Sequence, residues 1–297
     1  MECLFEAVKR DDLNEVRRIV VAKIVPVFEN QICMFIATYD GRESVIRRLV
    51  ELGANAFAQH NKCVRYASAN GHLSTVRYLV GLGVDIHACD DEPLREASAG
   101  GHLAVVQYLV ELNVDIHVGD DECVRQASES GHLAVVQYLV GLGANIHAGD
   151  DDALQRASIC GHLAVVRQLI GAGANIRAGN DQSVRWASSG GYLTLVQYLV
   201  GAGADIRAHG DGAARVTSRR GQWAVVRYLT GRGADARRWA DGASPSVGQH
   251  LASAGARGRA AGRLYSAVLA AWFPRCYDRG HRAGRRMGRR KIERARL

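Results

Sequence analysis

The sequence repeats itself every 30 residues, from its first residue to about residue 240. The agreement is clearest in a Gly-His-Leu triplet at 71–73, which returns at 101–103, 131–133 and 161–163. A chain of 297 residues exceeds the usual size of one globular core. A fixed period of this length is typical of solenoids, in which each unit covers the apolar side of its neighbour. The periodicity therefore predicts an extended stack of small units.

The first half of one row, residues 91–120, predicts a helix. Acidic residues precede Pro93, and both features favour the N-terminus of a helix. Apolar and small residues follow at helical spacing. Gly100 and Gly101 are expected to end this helix, because glycine accepts the left-handed backbone of a helix C-terminus.

The second half of the row predicts another helix and a loop. Apolar residues at helical spacing place the second helix from about His102 to about Glu111. Other rows end this helix with glycine, and Asn113 takes that place here because asparagine also tolerates a left-handed backbone. Residues 114–119 are predicted to be a short extended loop that leads back to the next row.

The pattern A-S-x-x-G-H-L-x-V-V-x-Y-L-V-x-x-G-A-D/N-I is similar to the ankyrin repeat, and the resemblance covers residues 1 to about 240. It implies an all-α fold, an ankyrin-type α-solenoid of stacked helix-turn-helix repeats. Because the period is shorter than the about 33 residues usual for ankyrin repeats, the hairpin loops are expected to be shortened. Short repeats of this wording also resemble those of giant DNA viruses of amoebae, which suggests a viral protein that acts on its host.

The rows define four segments. Residues 1–30 are expected to be an N-terminal capping repeat, since charged residues replace the small residues of later rows. Residues 31–240 hold seven 30-residue repeats. The register fades in 241–274, which reads as a degenerate C-terminal cap. Residues 275–297 are a basic segment that is expected to be disordered.

The charge is divided unevenly along the chain. The formal net charge of +8 combines −7 over residues 1–210 with +15 over residues 211–297. The densest basic run could serve nuclear import or phosphate contacts, and a solvated tail without a partner is the alternative. This run consists of Arg285, Arg286, Arg289, Arg290 and Lys291.

Neither the histidines nor the cysteines indicate a chemical site. Most histidines recur with the repeat, and equivalent residues on stacked helices lie too far apart, at about 8–10 Å, to share a zinc ion. The Gly-His histidines are instead expected to bond to neighbouring backbone. Several cysteines are spaced by multiples of 30, which predicts reduced thiols in the core. No catalytic motif is present, so we expect no enzyme, no cofactor, no metal and no small-molecule substrate.

The location of the protein is expected to be cytoplasmic, and host cytoplasm if it is viral. The acidic N-terminus does not resemble a secretory signal, and no run approaches the roughly 18 apolar residues of a membrane span. The basic run leaves a nuclear location open.

The resemblance implies that a partner binds a concave face, made by the hairpin tips and the outer side of the first helix of each row. The tip side carries an aspartate at the first position of successive rows, for which helix capping is the alternative role. These residues are Asp91, Asp121 and Asp151, continued by Asp181 and Asp211. On the first helix, one variable position holds Tyr66, Glu96, Gln126, Arg156 and Trp186, with Glu129 nearby. Tyrosine, arginine and tryptophan dominate interface energetics, so Trp186 is the first candidate anchor, with sequence drift as the alternative.

These features favour a non-enzymatic module that binds another protein, without contact to a membrane. One alternative is binding of nucleic acid or another anionic surface through the basic tail. A second is an adaptor to a ubiquitin ligase, a role that some viral ankyrin proteins perform through a C-terminal F-box. Residues 264–274 lack the Leu-Pro start of such a box, which weakens this alternative.

Overall fold

The computed structural model describes residues 6–8, 10–12, 14–15 and 27–234. It divides into two compact units, unit 1 (Met1–Asn175) and unit 2 (Ile176–Leu297), which are described separately. Residues 27–234 form fourteen helices and contain no strand. In unit 1 the helices are α1 (Val27–Tyr39), α2 (Glu43–Glu51), α3 (Ala58–Ala69), α4 (Leu73–Gly81), α5 (Ala88–Gly100), α6 (Leu103–Glu111), α7 (Val118–Ser130), α8 (Leu133–Gly141), α9 (Ala148–Cys160) and α10 (Leu163–Gly171). In unit 2 they are α11 (Ala178–Gly190), α12 (Leu193–Gly201), α13 (Ala208–Arg219) and α14 (Trp223–Gly231).

Each repeat is a pair of helices, as the sequence predicts. The first helix has 12 or 13 residues. The second has nine residues, and in the row 91–120 it spans Leu103–Glu111. Gly101 ends α5 with a φ of 76°, and Asn113 has a φ of 61°. The predicted helix ends at these two residues are therefore confirmed.

The loop between repeats differs from the prediction. Gly119, Asp120 and Asp121, which stand at the start of α7, are not helical. They form a left-handed turn with φ values of 63°, 59° and 57°. Residues 59–61, 149–151, 179–181 and 209–211 have the same conformation. The prediction of an extended loop over 114–119 is thus wrong at its end. The predicted shortened hairpin loop is therefore a left-handed turn of three residues.

The core of each unit lies between the two layers of helices. In unit 1, α5 packs between α3 and α7. Leu94 and Ala97 of α5 and Val106 and Leu109 of α6 have no exposed surface. Burial of a leucine side chain stabilises a fold by about 2 kcal/mol, and the alanine lets neighbouring first helices approach closely. The residues that define the repeat are therefore the residues that hold neighbouring helix pairs together.

Most of the predicted terminal segments lie outside the residues that the structure describes. The predicted N-terminal cap, 1–30, is described only in part, and there the Ser44 hydroxyl of α2 donates to Asp11 Oδ1 at 2.9 Å. The predicted cap 241–274 and basic tail 275–297, including Arg285, lie outside the described residues.

No helix among those that are described has the length and apolarity needed to cross a bilayer.

Candidate functional site

At three of the four Gly-His pairs, the histidine bonds to the backbone of the preceding repeat. His102 Nε2 bonds to the backbone oxygen of Ala69 at 3.0 Å, and His162 Nε2 bonds to that of Glu129 at 2.9 Å. A Cβ at Gly101 would lie 2.3 Å from His132 Nδ1, so only glycine fits beneath the imidazole of the next repeat. The expectation that these histidines bond to neighbouring backbone is confirmed for His72, His102 and His162, whereas His132 makes no such bond. Within the described residues, no group of three or more potential metal-ligating side chains comes together.

The repeat cysteines are buried thiols. Cys33, Cys63 and Cys123 are buried thiols that form no disulfide, and Cys160 is half-buried. Burial raises the pKa of the Cys63 thiol to about 12, against a smaller opposing contribution from the Thr38 hydroxyl. A thiol with this pKa is not a nucleophile at neutral pH, because the thiolate is the reactive form. The prediction of core thiols is confirmed for Cys33, Cys63 and Cys123.

The aspartates at the first position of each row hold repeats together. Asp121 is 4% exposed, and its Oδ1 accepts hydrogen bonds from His117 Nδ1 and from the backbone N–H of Asn145, both at 2.9 Å. Asp151 Oδ1 accepts equivalent bonds from His147 and Asn175. Each carboxylate thus joins a left-handed turn to the loop of the following repeat, 24 residues further along the chain.

This arrangement corrects the expected placement of the acidic ladder. Asp91, Asp121 and Asp151 are all at most 6% exposed, so their side chains do not form part of an exposed face. Their left-handed backbone also differs from the extended conformation that a helix-capping residue usually adopts. Carboxylates at this position therefore stabilise the junction between repeats.

Three of the predicted first-helix residues meet in one ionic network. Arg156 contacts Asp152 at 2.6 Å, Glu129 at 2.9 Å and Glu122 at 3.3 Å. Gln126 Nε2 donates to Glu122 Oε1 at 3.1 Å. Burial alone would lower the pKa of Arg156, but the adjacent carboxylates, above all Asp152, outweigh it and raise that pKa. A partner that uses Arg156 must compete with these pairs, although partly exposed ion pairs are worth only about 0.2–1 kcal/mol each.

A second set of ion pairs joins the first helices of successive repeats. An arginine at the fifth position of one row pairs with an acidic residue at the second position of the next, 27 residues later. Arg65 pairs with Glu92 in this way, and Arg125 Nη1 lies 3.2 Å from Asp152 Oδ2. The prediction from single rows missed these pairs, although the recurrence of arginine and acid at fixed positions is visible in the sequence.

Tyr66 belongs to an exposed aromatic patch, defined here as Ile32, Phe35, Tyr39, Lys62 and Tyr66. The Tyr66 ring meets the rings of Phe35 and Tyr39 edge-on, with centroids 6.2 and 6.1 Å apart. Lys62 Nζ lies 5.1 Å from the ring centres of Phe35 and Tyr66. Tyr39 is 55% exposed and Ile32 is 38% exposed. The sequence prediction included Tyr66 alone. The signal for Phe35 and Tyr39 was that the row 31–60 carries an aromatic residue at two positions where no later row does.

The remaining two predicted residues lie apart from these clusters. Glu96 is half-buried on α5 in unit 1. Trp186 is half-buried on α11 in unit 2, and its Nε1–H is buried without a hydrogen-bond acceptor. Contact of either residue with a partner stays a prediction.

The matches to known proteins follow the repeat. Residues 33–120, 66–150, 94–180 and 124–210 each match the family model described as ankyrin repeats (3 copies), and together they span more than half of the chain. The chain belongs to the ankyrin repeat family. Its fold is similar to the crystal structure of the human ASB11 ankyrin repeat domain, with a TM-score of 0.57 and 20% identity. That match covers 68% of this chain and 98% of the human domain, and it shows the fold alone.

A comparison with curated protein sequences gives no significant match. Membership in the family nevertheless narrows the class of function. Ankyrin repeats are generally protein–protein interaction modules, and their fold is typically a non-enzymatic binding scaffold.

Proposed function

We propose that this ankyrin repeat protein is a non-enzymatic interaction module, and that unit 1 binds a protein partner through the aromatic patch. The observation that carries the proposal is the exposure of Tyr39 beside the ring of Tyr66, with exposed Ile32 one turn before Phe35 on α1. Aromatic side chains bury large areas at low conformational cost and are enriched among the residues that dominate binding energy. Lys62 adds one positive charge at the edge of this apolar surface.

The scaffold does not require these aromatic residues. Ala69 and Ala99 stand at the position of Tyr39 in the next two repeats, where the helix pairs stack in the same way. An alanine at position 39 is therefore compatible with the fold. Large apolar side chains that the stack does not need, and that water covers in the isolated chain, are typical of interaction surfaces.

The ionic network between the rows 121–150 and 151–180, built around Arg156, has a different role in this proposal. Its charges are already paired, so contacts with a partner there exchange one ion pair for another and contribute little net affinity. Such contacts would set orientation and selectivity. The aromatic patch is accordingly proposed as the main source of binding energy in unit 1.

The test is affinity capture with the full chain, in which Tyr39→Ala/Tyr66→Ala is compared with the unaltered protein. Each truncation of an interface aromatic costs about 2 kcal/mol or more, so the double variant should lose its partner almost completely. Tyr138→Ala, on the second helix α8, is the matched control and should retain the partner. Unchanged capture by the double variant, with its helical content intact, would remove the aromatic patch from consideration.

Two further expectations remain proposals. Binding of nucleic acid through the basic run 285–291 concerns residues outside those described. A cytoplasmic location accords with the free thiols Cys63 and Cys123, since reduced cysteines are usual in that compartment.

A further inference from the structure

The two units carry opposite charge on the same architecture. Residues 27–175 of unit 1 hold ten Lys or Arg against eighteen Asp or Glu. Residues 176–234 of unit 2 hold eight arginines against three aspartates. Because the helix pairs have the same lengths in both units, the difference lies in the surface residues and not in the scaffold.

The ion pairs of unit 1 show how its first-helix arginines are neutralised. Arg65 meets Glu92 and Arg125 meets Asp152, each at the second position of the next row. In unit 2, Arg185 reaches toward the same position, where the chain has Gly212 instead of an acid. A Cβ on Gly212 would lie 3.5 Å from Arg185 Cδ and 3.6 Å from its Nε. The guanidinium of Arg185 is therefore placed for a carboxylate that position 212 does not supply.

More uncompensated charge lies on the neighbouring first helix. Arg215 and Arg219 are exposed one turn apart on α13, and Arg220 follows at its end. Within the part of unit 2 that is described, none of these arginines, nor Arg185, makes an ion pair or a hydrogen bond through its side chain. We call Arg185, Trp186, Arg215, Arg219 and Arg220 the basic face.

The described aspartates of unit 2 lie in or next to the junctions between repeats. Asp181 and Asp211 are each 4% exposed, in the buried junctions between repeats. Asp181 Oδ1 accepts from the backbone N–H of Asp205 at 2.6 Å, and Asp205 Oδ1 accepts from that of Arg207 at 2.8 Å. These carboxylates bond to backbone at the junctions between repeats, whereas Arg185, Arg215 and Arg219 lie on the first helices.

We infer that the basic face binds an acidic segment of a protein partner. Guanidinium groups pair with carboxylates through two parallel hydrogen bonds. Because these arginines have no ion-pair partner among residues 176–234, none of the ion pairs within that range must be broken first. Trp186, half-buried beside Arg185, offers an apolar contact among the charges. A nucleic-acid strand fits less well, because its bases stack on a series of aromatic residues and this face has one. The inference involves unit 2 and does not depend on the aromatic patch.

The test uses the full chain and a fluorescein-labelled peptide of alternating glutamate and alanine, followed by fluorescence polarisation. Arg215→Glu/Arg219→Glu should weaken binding at least about tenfold, since charge reversal turns two attractions into repulsions. Arg227→Glu/Arg232→Glu makes the same change in net charge at two exposed sites of α14 and its following loop. This matched control should change the affinity by no more than about twofold, and salt should weaken binding by the unaltered chain.

Gly212→Glu supplies the missing carboxylate and is expected to reduce binding by pairing with Arg185. The closest contact of the added Cβ is His209 Cβ, at 3.2 Å. The side chain fits there, because Gln59 and Lys62 occupy the positions in unit 1 that correspond to His209 and Gly212, with Lys62 Nζ 3.3 Å from Gln59 Oε1. Tyr39→Ala/Tyr66→Ala should bind the peptide normally, which separates this inference from the proposed role of the aromatic patch.

Several results would overturn the inference. One is that the unaltered chain does not bind the peptide, and another is that the two double arginine variants lose affinity equally. Peptide binding that disappears only when the basic run 285–291 is neutralised would also overturn it. A single-stranded DNA of equal charge that binds more tightly than the peptide, and is lost on Arg215→Glu/Arg219→Glu, would assign the basic face to nucleic acid instead.

Discussion

Replacement of Asp121 by alanine removes the acceptor that joins two repeats at their left-handed turn. The change leaves the backbone N–H of Asn145 and the Nδ1–H of His117 without their 2.9 Å partner. A partly buried donor that loses its acceptor costs about 1–3 kcal/mol. Alanine also tolerates the left-handed φ of 57° less well than aspartate, at a cost of up to about 1 kcal/mol. We expect Asp121→Ala to lower the free energy of unfolding by about 2–4 kcal/mol.

Two matched variants divide this cost into its parts. Asp120→Ala changes the preceding residue of the same turn, where the side chain is exposed and φ is 59°, so it reports the backbone cost alone. Asp121→Asn keeps an acceptor oxygen, and asparagine tolerates this left-handed backbone. The row 61–90 already has Asn61 at the corresponding position, where its Nδ2 donates to the backbone oxygen of Asp85. We expect Asp121→Asn to cost less than about 1 kcal/mol.

Urea unfolding followed by circular dichroism measures the total change. Because repeat arrays can unfold in parts, hydrogen exchange of the Asn145 amide gives the local value. That amide should exchange at least about tenfold faster in Asp121→Ala, as expected when the free energy of local opening falls by more than about 1.4 kcal/mol. Equal destabilisation by Asp121→Ala and Asp120→Ala would refute the reasoning, since the hydrogen bonds between repeats would then contribute nothing measurable.

Two further predictions concern the junction and the core. Gly101→Ala should cost more than about 2 kcal/mol in urea unfolding, because its Cβ would collide with the imidazole of the next repeat. Gly143→Ala has a similar left-handed φ of 94° and nothing within 4 Å, so it should cost only about 1 kcal/mol, and equal costs would contradict the collision. Cys63, whose pKa burial raises to about 12, should resist iodoacetamide at pH 8 until the chain unfolds. Half-buried Cys160 should react in the native chain, and equal native rates for the two thiols would show that the core opens readily.

The helix pairs could be predicted from the sequence because their signals are local. The apolar spacing from Leu103 to Glu111 and the residue that ends that helix both lie within one row. Asn113 was recognisable as a helix end because few residues other than glycine accept a positive φ. Repetition over several rows strengthened each of these signals.

The left-handed turn could not be predicted in the same way. An extended segment and a left-handed turn at residues 119–121 differ in the sign of three φ angles, and a bond to Asn145 helps decide between them. That bond joins positions 24 residues apart, so no single row contains it. The local hint was a run of Gly119, Asp120 and Asp121, all residue types that tolerate positive φ.

The first-helix residues show a related limit. The position that Arg156 occupies holds a different residue in each neighbouring row, which suggested an exposed contact with a partner. The carboxylates that pair with Arg156 nevertheless include Glu122 and Glu129 of the preceding row. Variation at a position therefore does not separate residues that contact a partner from residues that compensate a neighbouring repeat. Tyr66 could be predicted as a contact, whereas its aromatic neighbours became evident only when adjacent repeats were placed side by side.

The pairing of the fifth position with the second position of the next row links these observations. Where both charges are present, as in Arg65–Glu92 and Arg125–Asp152, the first-helix face neutralises itself. Where the acid is replaced, as at Gly212, the same arginine position becomes available to a partner. Neither position contributes to the apolar core, so the charge of a face can change without loss of the alanine, valine and leucine contacts that stabilise the stack. A repeat protein of this kind can therefore acquire a binding face by the loss of one carboxylate, and restoring that carboxylate should remove the face while the fold stays intact.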